Sequence, residues 1–282
     1  MPNAELRNGA LLDAPTRCVQ GLNMPDRPWH MVDMHCHLDR MTNGAEVASE
    51  LERMGIAAFC TTVTPYEALD AQSLLAAYPN VRVGIGLHPW WVNEGPLMSE
   101  SIEQAAQLAA SSGYVGEIGL DFSPAHATTR AMQLDAFEQI VAACAEHPRQ
   151  ARVLSIHAVR AAAEALDILE RHRMAGDATC IFHWFSGSSD DLVRLRSLNC
   201  YLSINERMLA TKRGRSYAQQ MPVDRVLLET DAPVVLDTPS STLELEASLA
   251  RTLRALAVIR RIDENELASR IAMTSSELLG IS

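Results

Sequence analysis

Short apolar runs rich in β-branched residues alternate along the chain with longer stretches in which apolar positions recur every three or four residues. The first pattern predicts buried strands, and the second predicts amphipathic helices. Eight strand-like runs follow one another in this way: MVDMHCHL (31–38), IAAFCTTV (56–63), VRVGIGLHP (81–89), GYVGEIGLD (113–121), ARVLSIHA (151–158), ATCIFHWFSG (178–187), CYLSIN (200–205) and DRVLLETDAP (224–233).

The order of these elements predicts an α/β fold. Strands that alternate with helices imply right-handed crossovers and a parallel sheet, and eight of them fit a (β/α)8 barrel of the TIM type, which uses about 250 residues as one domain. A doubly wound open sheet is the alternative, but the chain has no glycine-rich nucleotide-binding turn. We expect an irregular, proline-containing lead-in over residues 1–30 and one barrel domain over 31–282, with two C-terminal helices in 241–280 that stop at Gly280.

Composition narrows the possible functions. The 282-residue chain has a net charge of −11, which argues against a broad nucleic-acid-binding face but not against a nuclease that meets one strand end. No apolar run is long enough to span a membrane, no signal-peptide pattern is visible, and six scattered cysteines without a CxxC motif suggest free thiols. We therefore expect a cytoplasmic protein. Lys212 is the only lysine, so a lysine-based active site is not expected.

Most of the predicted strands begin with apolar residues and end in a side chain that can bind a metal or move a proton. In barrels of this type the active site lies at the C-terminal ends of the strands, so these side chains would converge on one mouth. They are His35 and His37 on the first strand, His88 on the third, Glu117 and Asp121 on the fourth, His157 on the fifth, His183 on the sixth and Asp231 on the eighth.

The first strand carries the densest polar pattern. In an extended strand His35 and His37 would share one face with Asp33 and Asp39, while Cys36 would face the other way. Imidazoles and carboxylates crowded on one face are costly to bury unless they bind a metal. A bare HxH motif is also compatible with a solvated edge strand, but the polar residues at the other strand ends favour the metal site.

Four histidines with Glu117 and Asp231 can hold two divalent metals, with a shared carboxylate such as Glu117 bridging ions about 3.5–4 Å apart. Asp231 is suited to bind one metal and to steer or deprotonate the attacking water. Glu229, two residues earlier, is either a group that orients the ligands or a buried residue of the barrel. Such a centre can hydrolyse a phosphodiester, or an amide or ester.

Six stretches in this order make the chain similar to the TatD-like metal-dependent hydrolases, a family of deoxyribonucleases among the amidohydrolase-type barrels. The resemblance covers roughly residues 31–235. The stretches are DMHCHLD (33–39), GIGLHP (84–89), VGEIGLD (115–121), LSIHAVRA (154–161), FHWFSGS (182–188) and LLETDAP (227–233).

The resemblance implies a site, its cofactors and a substrate. Two divalent ions (Mg, Mn or Zn) would act on DNA, as a single strand or a strand end, commonly cut from the 3′ end. The implied ligands form two groups joined by a bridging carboxylate: His35, His37 and Asp231; His157 and His183; and Glu117 between them. Asp231 and Glu117 would be the catalytic residues.

Substrate contacts are less determined than the metal ligands. The resemblance implies that His88 lies beside the metals and contacts a phosphate. Arg160 could pair with a phosphate through its planar guanidinium, or form a salt bridge to a helix. Trp90 could stack on a base, or simply pack at the rim. The chain departs from the common family pattern after the fifth strand and in residues 234–242.

A basic run follows the seventh predicted strand, with Lys212, Arg213 and Arg215. These side chains could guide a nucleic-acid backbone, but a solvated loop is the plainer interpretation.

Three functions stay open. The first is a two-metal 3′–5′ exonuclease acting on DNA, and the second is a metal-dependent amide, ester or lactone hydrolase of a small molecule. The third is a partner-dependent subunit, because proteins of this kind also occur in multi-protein phage-defence systems. Basic residues around the mouth would support the first, and a closed acidic or apolar pocket would support the second. No membrane partner is expected.

Overall fold

The computed structural model describes residues 29–281 and confirms the predicted barrel. Eight parallel strands pair with their neighbours in sequence order. Residues 1–28 of the predicted lead-in lie outside the described residues. The strands are β1 (Met31–Cys36), β2 (Ile56–Thr61), β3 (Val81–Leu87), β4 (Tyr114–Asp121), β5 (Val153–Val159), β6 (Thr179–His183), β7 (Tyr201–Ile204) and β8 (Val226–Leu228).

The helices lie between the strands and after the last one. Their bounds are α1 (Gly44–Met54), α2 (Pro65–Leu75), α3 (Met98–Ser111), α4 (Arg130–Glu146), α5 (Ala162–Arg171), α6 (Met174–Asp177), α7 (Ser189–Ser197), α8 (Glu206–Ala210), α9 (Lys212–Gln220), α10 (Thr242–Arg260) and α11 (Glu264–Leu279). The two predicted C-terminal helices are α10 and α11, and α11 ends at Gly280 as expected, with a φ of +56°.

The loop interpretation of the basic run at Lys212 is wrong, because this run begins α9. Thr211 caps the helix: its side-chain oxygen accepts a hydrogen bond from the backbone N–H of Gly214 at 2.9 Å. Tyr217 and Ala218 face the core. The basic side chains of the run remain exposed on the outer face of the helix.

The barrel closes between β8 and β1 through the backbone beside the predicted ligands. The N–H of Asp231 donates to the carbonyl of His35 at 2.9 Å, and the N–H of His37 donates to the carbonyl of Ala232 at 2.7 Å. These two bonds hold the end of the first strand against the segment that follows the last one. Side chains separated by almost 200 positions in the chain therefore share one edge of the barrel mouth.

The simple alternation predicted for the first strand is wrong. Its register shifts between Asp33 and Cys36, and the strand ends at Cys36, so that Asp39 lies in a 3₁₀ turn. Asp33 turns to Thr230, accepting hydrogen bonds from its N–H at 2.9 Å and its hydroxyl at 2.5 Å. Cys60 donates to Asp39 at 3.4 Å. Neither carboxylate therefore joins the histidine face, whereas Cys36 packs in the core as expected.

An apolar layer fills the barrel interior. It joins strand residues to the last residue of α11 and to Ile281. Its buried members are Val32, Met34, Ala57, Phe59, Val153, Ile181, Leu227, Leu279 and Ile281. The remaining core lies between the strands and the surrounding helices. Within the part of the chain described, no helix combines the length and apolar character needed to cross a bilayer. The five described cysteines are free and buried, and Cys18 lies outside the described residues.

Arg152 ties two helix ends to the start of β5. Its side chain is buried, with 1% exposed. The guanidinium donates to the carbonyls of Ala110 at 2.8 Å and Ser112 at 3.1 Å, at the end of α3, and to the carbonyl of Cys144 in the last turn of α4. These carbonyls have no partner within their own helices, and a cation there also opposes the helix dipoles.

We expect Arg152→Met to lower the free energy of unfolding by about 2–4 kcal/mol, because buried carbonyls lose charged donors. Urea unfolding followed by circular dichroism measures this change. Arg149→Met is the matched control, since Arg149 is exposed nearby. A loss of less than about 1 kcal/mol, within the range of ordinary surface substitutions, would contradict this account of Arg152.

Candidate metal centre

The site is built around Glu117, whose side chain is 1% exposed inside the barrel mouth. Two glycines allow β4 to approach β5 there. A Cβ at Gly119, which has a φ of +141°, would lie 2.0 Å from the carbonyl oxygen of His157; at Gly116, with a φ of +146°, it would lie 2.8 Å from the Cβ of Ser155. L residues rarely adopt such positive φ angles. The glycines therefore let Glu117 and His157 meet.

One oxygen of Glu117 faces the histidines of the first strand. Its Oε2 lies 3.1 Å from Nε2 of His35 and 3.5 Å from Nε2 of His37. Oδ1 of Asp231 completes this group, at 3.9 Å from Nε2 of His35 and 3.7 Å from Nε2 of His37. Asp231 adopts a left-handed φ of +55° three residues after the end of β8, a conformation that aspartate tolerates better than most residues.

The other oxygen of Glu117 faces a second group of histidines. Its Oε1 lies 2.7 Å from Nδ1 of His157 and 2.8 Å from Nε2 of His183, and these two nitrogens are 3.0 Å apart. Nε2 of His88 lies 3.2 Å from the same oxygen. His88 is therefore as close to Glu117 as the predicted ligands are. The sequence indicated a substrate contact for His88, and the geometry also allows it to be a ligand.

The histidines of the first strand are held by their second ring nitrogens. Nδ1 of His37 donates to the carbonyl of Thr61 at 2.7 Å, and Nδ1 of His35 lies 2.8 Å from Oγ of Ser155. A ring whose Nδ1 carries the proton presents the lone pair of Nε2, which a metal needs. Ser155 lies two residues before His157 on the same strand, so a period of two could have pointed to it; the carbonyl of Thr61 leaves no signal in the sequence.

Glu229 is a buried, hydrogen-bonded residue of the barrel, and its role in orienting a ligand stays a prediction. It is fully buried and accepts hydrogen bonds from the hydroxyl of Ser203 and, at 2.7 Å, from the side-chain amide of Asn205. Its Oε1 also lies 3.7 Å from Nδ1 of His183. Its hydrogen bonds are thus made inside the barrel, and it lies near a candidate ligand without a hydrogen bond to it.

The ionised carboxylates of the centre favour binding of cations. Burial by itself would raise the pKa of Glu117, but nearby histidines, His88 first, hold it well below its usual range. Burial is likewise outweighed at Asp231, where the nearby imidazoles, His37 first, lower the pKa to about 2. Burial lowers the pKa of His37, yet the nearby carboxylates of Asp231 and Glu117 raise it to about 9. Both carboxylates are therefore ionised at neutral pH.

The donor set fits divalent cations. Three overlapping clusters each place one ligand atom per residue within 4.8 Å of the others: His35, Glu117 and His183; His35, His37 and Asp231; His88, Glu117 and His157. Buried Nε2 of His157 and Nδ1 of His183 have no hydrogen-bond partner among residues 29–281. Imidazole and carboxylate donors suit zinc, iron and manganese. Binding of such cations would explain why so many nitrogens crowd around one carboxylate.

A cavity of about 510 Å³ opens above the centre. Trp90, 52% exposed, stands at its rim. The indole N–H of Trp90 donates to Asp121 at 2.6 Å, and its ring stacks on His126 with a centroid distance of 5.2 Å and planes 9° apart. Arg160 is exposed and does not line the cavity, so its role as a phosphate contact stays a prediction. Arg207, which the sequence did not single out, does line it.

The histidines and carboxylates at the mouth of an eight-stranded barrel define a metal-dependent hydrolase. The family model described as TatD related DNase matches residues 32–280. The chain belongs to this family.

Individual relatives agree with this assignment. The uncharacterized metal-dependent hydrolase YcfH of Escherichia coli K12 is 28% identical over 84% of this chain and 91% of its own length. The 3′-5′ ssDNA/RNA exonuclease TatD of Yersinia pseudotuberculosis is 29% identical over 80% of this chain and 88% of its own. The crystal structure of YJJV, a TatD homolog from Escherichia coli K12, superposes with a TM-score of 0.75 at 21% identity, covering 91% of this chain and all of that one. The last comparison supports the fold.

Proposed function

We propose that this protein is a two-metal phosphodiesterase that removes nucleotides from the 3′ end of single-stranded DNA. The observation that best supports two metals is the division of Glu117, which turns Oε2 to one histidine group and Oε1 to the other. A carboxylate placed in this way can bridge two ions about 3.5–4 Å apart. The predicted ligands are His35, His37, Glu117, His157, His183 and Asp231.

The ions, when bound, would polarise the phosphodiester and supply hydroxide near neutral pH. The side chains of the protein hold the ions and orient the attacking water. Glu117 separates the two ligand groups and contributes one oxygen to each. Asp231 has 18% of its side chain exposed, and its pKa of about 2 makes it a weak proton acceptor. We therefore assign it to orienting the attacking water by a hydrogen bond rather than to deprotonating it.

The proposed substrate rests on the cavity wall and on the relatives. Trp90, Trp91 and Trp184 line the cavity, and aromatic rings of this kind can stack on the bases of a single strand. The related protein from Yersinia carries the name of an exonuclease of single-stranded DNA and RNA. The acidic net charge suits a contact limited to a strand end, so we propose that only the last nucleotides enter the site.

A metal-dependent amide or ester hydrolase of a small molecule is the second candidate. Apolar residues of the cavity wall favour it, with Val63, Pro233, Val234 and Leu236 beside the tryptophans. We propose that residues 31–282 form the catalytic domain and that the protein acts in the cytoplasm. A third hypothesis is that it works with partners in a multi-protein phage-defence system.

The test uses a single-stranded DNA labelled at either end and incubated with Mg, Mn or Zn. We expect a ladder of shortening products from the 5′-labelled strand and immediate release of a labelled mononucleotide from the 3′-labelled one. EDTA should abolish cutting, and excess metal should restore it, because the site needs its cations. If the protein binds metal but cuts neither DNA nor RNA, the small-molecule hydrolase becomes the better proposal, and aryl esters and amides are then assayed.

A further inference from the structure

Arg207, in α8, places its positively charged guanidinium at the cavity mouth. Among the described residues that line the cavity, it is the only lysine or arginine. Within residues 29–281, no carboxylate oxygen lies within 4 Å of its guanidinium nitrogens. The guanidinium carbon lies 5.5 Å from the ring centroid of Trp184, and Trp184 directly follows the candidate ligand His183. Arg207 is therefore held close to the metal centre without an acidic partner.

Two other arginines near the mouth already pair with carboxylates. Arg40 pairs with Glu67 and lies 3.3 Å from Asp237. Arg251 pairs with Glu206 at 2.6 Å. An arginine that is paired must exchange one anion for another to bind a phosphate, whereas Arg207 needs no such exchange.

A second groove continues from the cavity at Arg207. It has a volume of about 380 Å³ and shares Arg207, Pro233 and Val234 with the cavity. From there it runs along residues 238–241 and the first turns of α10. Its walls carry neutral polar side chains and paired charges. A chain whose end lies at the metal centre can therefore pass Arg207 and leave along this groove.

Arg207 is also tied to the metal centre through its helix. Asn205 is buried and caps α8: its side-chain oxygen accepts from the N–H of Met208 at 2.9 Å. The amide of the same side chain donates to Glu229 at 2.7 Å, and Oε1 of Glu229 lies 3.7 Å from Nδ1 of His183. This chain of contacts fixes the start of α8 relative to the centre, and such support is what keeps a binding group in place.

We propose that Arg207 and this groove form a subsite for the phosphate next to the one that is cut. The planar guanidinium can grip a phosphate through two hydrogen bonds, and the ring of Trp184 covers one side of it, which strengthens its electrostatic interactions. The protein then prefers strands with at least two phosphates over diesters with one. This inference rests on the proposed function and adds a length preference to it.

Equilibrium binding tests the subsite apart from catalysis. Fluorescence anisotropy of a labelled thymidine oligonucleotide in EDTA should show about tenfold weaker binding to Arg207→Gln than to the wild type, the loss expected for one charged hydrogen-bonding pair. Arg207→Lys should lie between them. The slope of log affinity against log salt should fall by about 0.7 in Arg207→Gln. Arg53→Gln, at an exposed site on α1, removes the same charge and should bind as the wild type does.

Kinetics provide the second readout. Arg207→Gln should raise KM for a three-nucleotide strand about tenfold with little change in kcat, and should leave hydrolysis of the p-nitrophenyl ester of thymidine 5′-phosphate unchanged. If Arg207→Gln binds the oligonucleotide as tightly as the wild type, or slows both substrates equally, the subsite is wrong even where cutting survives. A wild type that binds the strand through Arg207 but never cuts it would overturn the proposed function instead.

Discussion

Glu117→Gln is expected to remove the cations from the centre and to lower metal-dependent cleavage by about 1,000-fold or more. The substitution keeps the size of the side chain but removes the charge that both histidine groups share. The amide can present only one oxygen, and its NH₂ group would point at histidine nitrogens on one side. Metal analysis of the dialysed protein should show both ions reduced together, because each group loses the same ligand.

Glu46→Gln is the control for this experiment, since Glu46 is exposed on α1 and belongs to none of the candidate ligand clusters. It should retain full metal content and activity. Glu117→Gln should also retain the circular dichroism spectrum of the wild type, which separates loss of metal from loss of fold. A variant that keeps half of its activity, or loses only one of two ions, would show that Glu117 does not bridge.

Asp231→Asn is expected to lower kcat by about 100- to 1,000-fold while KM changes little, because the proposed hydrogen bond acts on the attacking water in the transition state. The amide keeps the shape of the side chain at its left-handed backbone position, which asparagine also tolerates. It removes the charge opposite His37, which lies 3.7 Å away. Steady-state kinetics on a short oligonucleotide measure both parameters.

The control lies at the opposite end of the same strand. Asp224 is exposed just before β8, so Asp224→Asn changes the same charge without approaching the mouth. It should leave both kinetic parameters unchanged. If Asp231→Asn raised KM and left kcat intact, Asp231 would be a binding group for the substrate, and the water would have to be oriented by another residue.

Hydrophobic periodicity was sufficient to predict the barrel. Each of the eight strands lies within or overlaps its predicted run, because buried parallel strands leave continuous apolar segments that are hard to mistake. The position of the site also followed from the sequence, since polar residues such as His157 and Glu117 interrupt these segments at their C-terminal ends. The family resemblance added the identity of the proposed ligands, which spacing alone did not settle.

Local backbone irregularities limited what the sequence could predict. The register shift inside β1 breaks the two-residue period, and no residue type in the sequence indicates it. The prediction that Asp33 and Asp39 share a face with the histidines is therefore wrong. The sequence favours a solvated loop for the basic run at Lys212 because its charges hide the short apolar face that Tyr217 and Ala218 give α9. The sequence gives no reason to single out Arg207, because the subsite proposed for it depends on contacts across the fold, with Trp184 and the groove.

The geometry around His88 bears on whether it binds a metal or contacts a phosphate. The sequence placed it beside the metals, and the structure brings its Nε2 within 3.2 Å of Glu117, inside a cluster with His157. Burial lowers the pKa of His88 to about 4, so its ring is neutral, as a ligand must be. Its Nδ1 accepts from the backbone N–H of Trp90 at 3.1 Å, which leaves the proton on Nε2. Without a change of tautomer, His88 is therefore better suited to donate to a phosphate oxygen than to bind an ion.

The most direct test is anomalous X-ray diffraction from crystals of the wild-type protein soaked in Mn. The account predicts two peaks about 3.5–4 Å apart on either side of the Glu117 carboxylate. One peak should lie with His35, His37 and Asp231, and the other with His157 and His183. A single peak, or peaks that Glu117 does not touch, would contradict the two-metal centre.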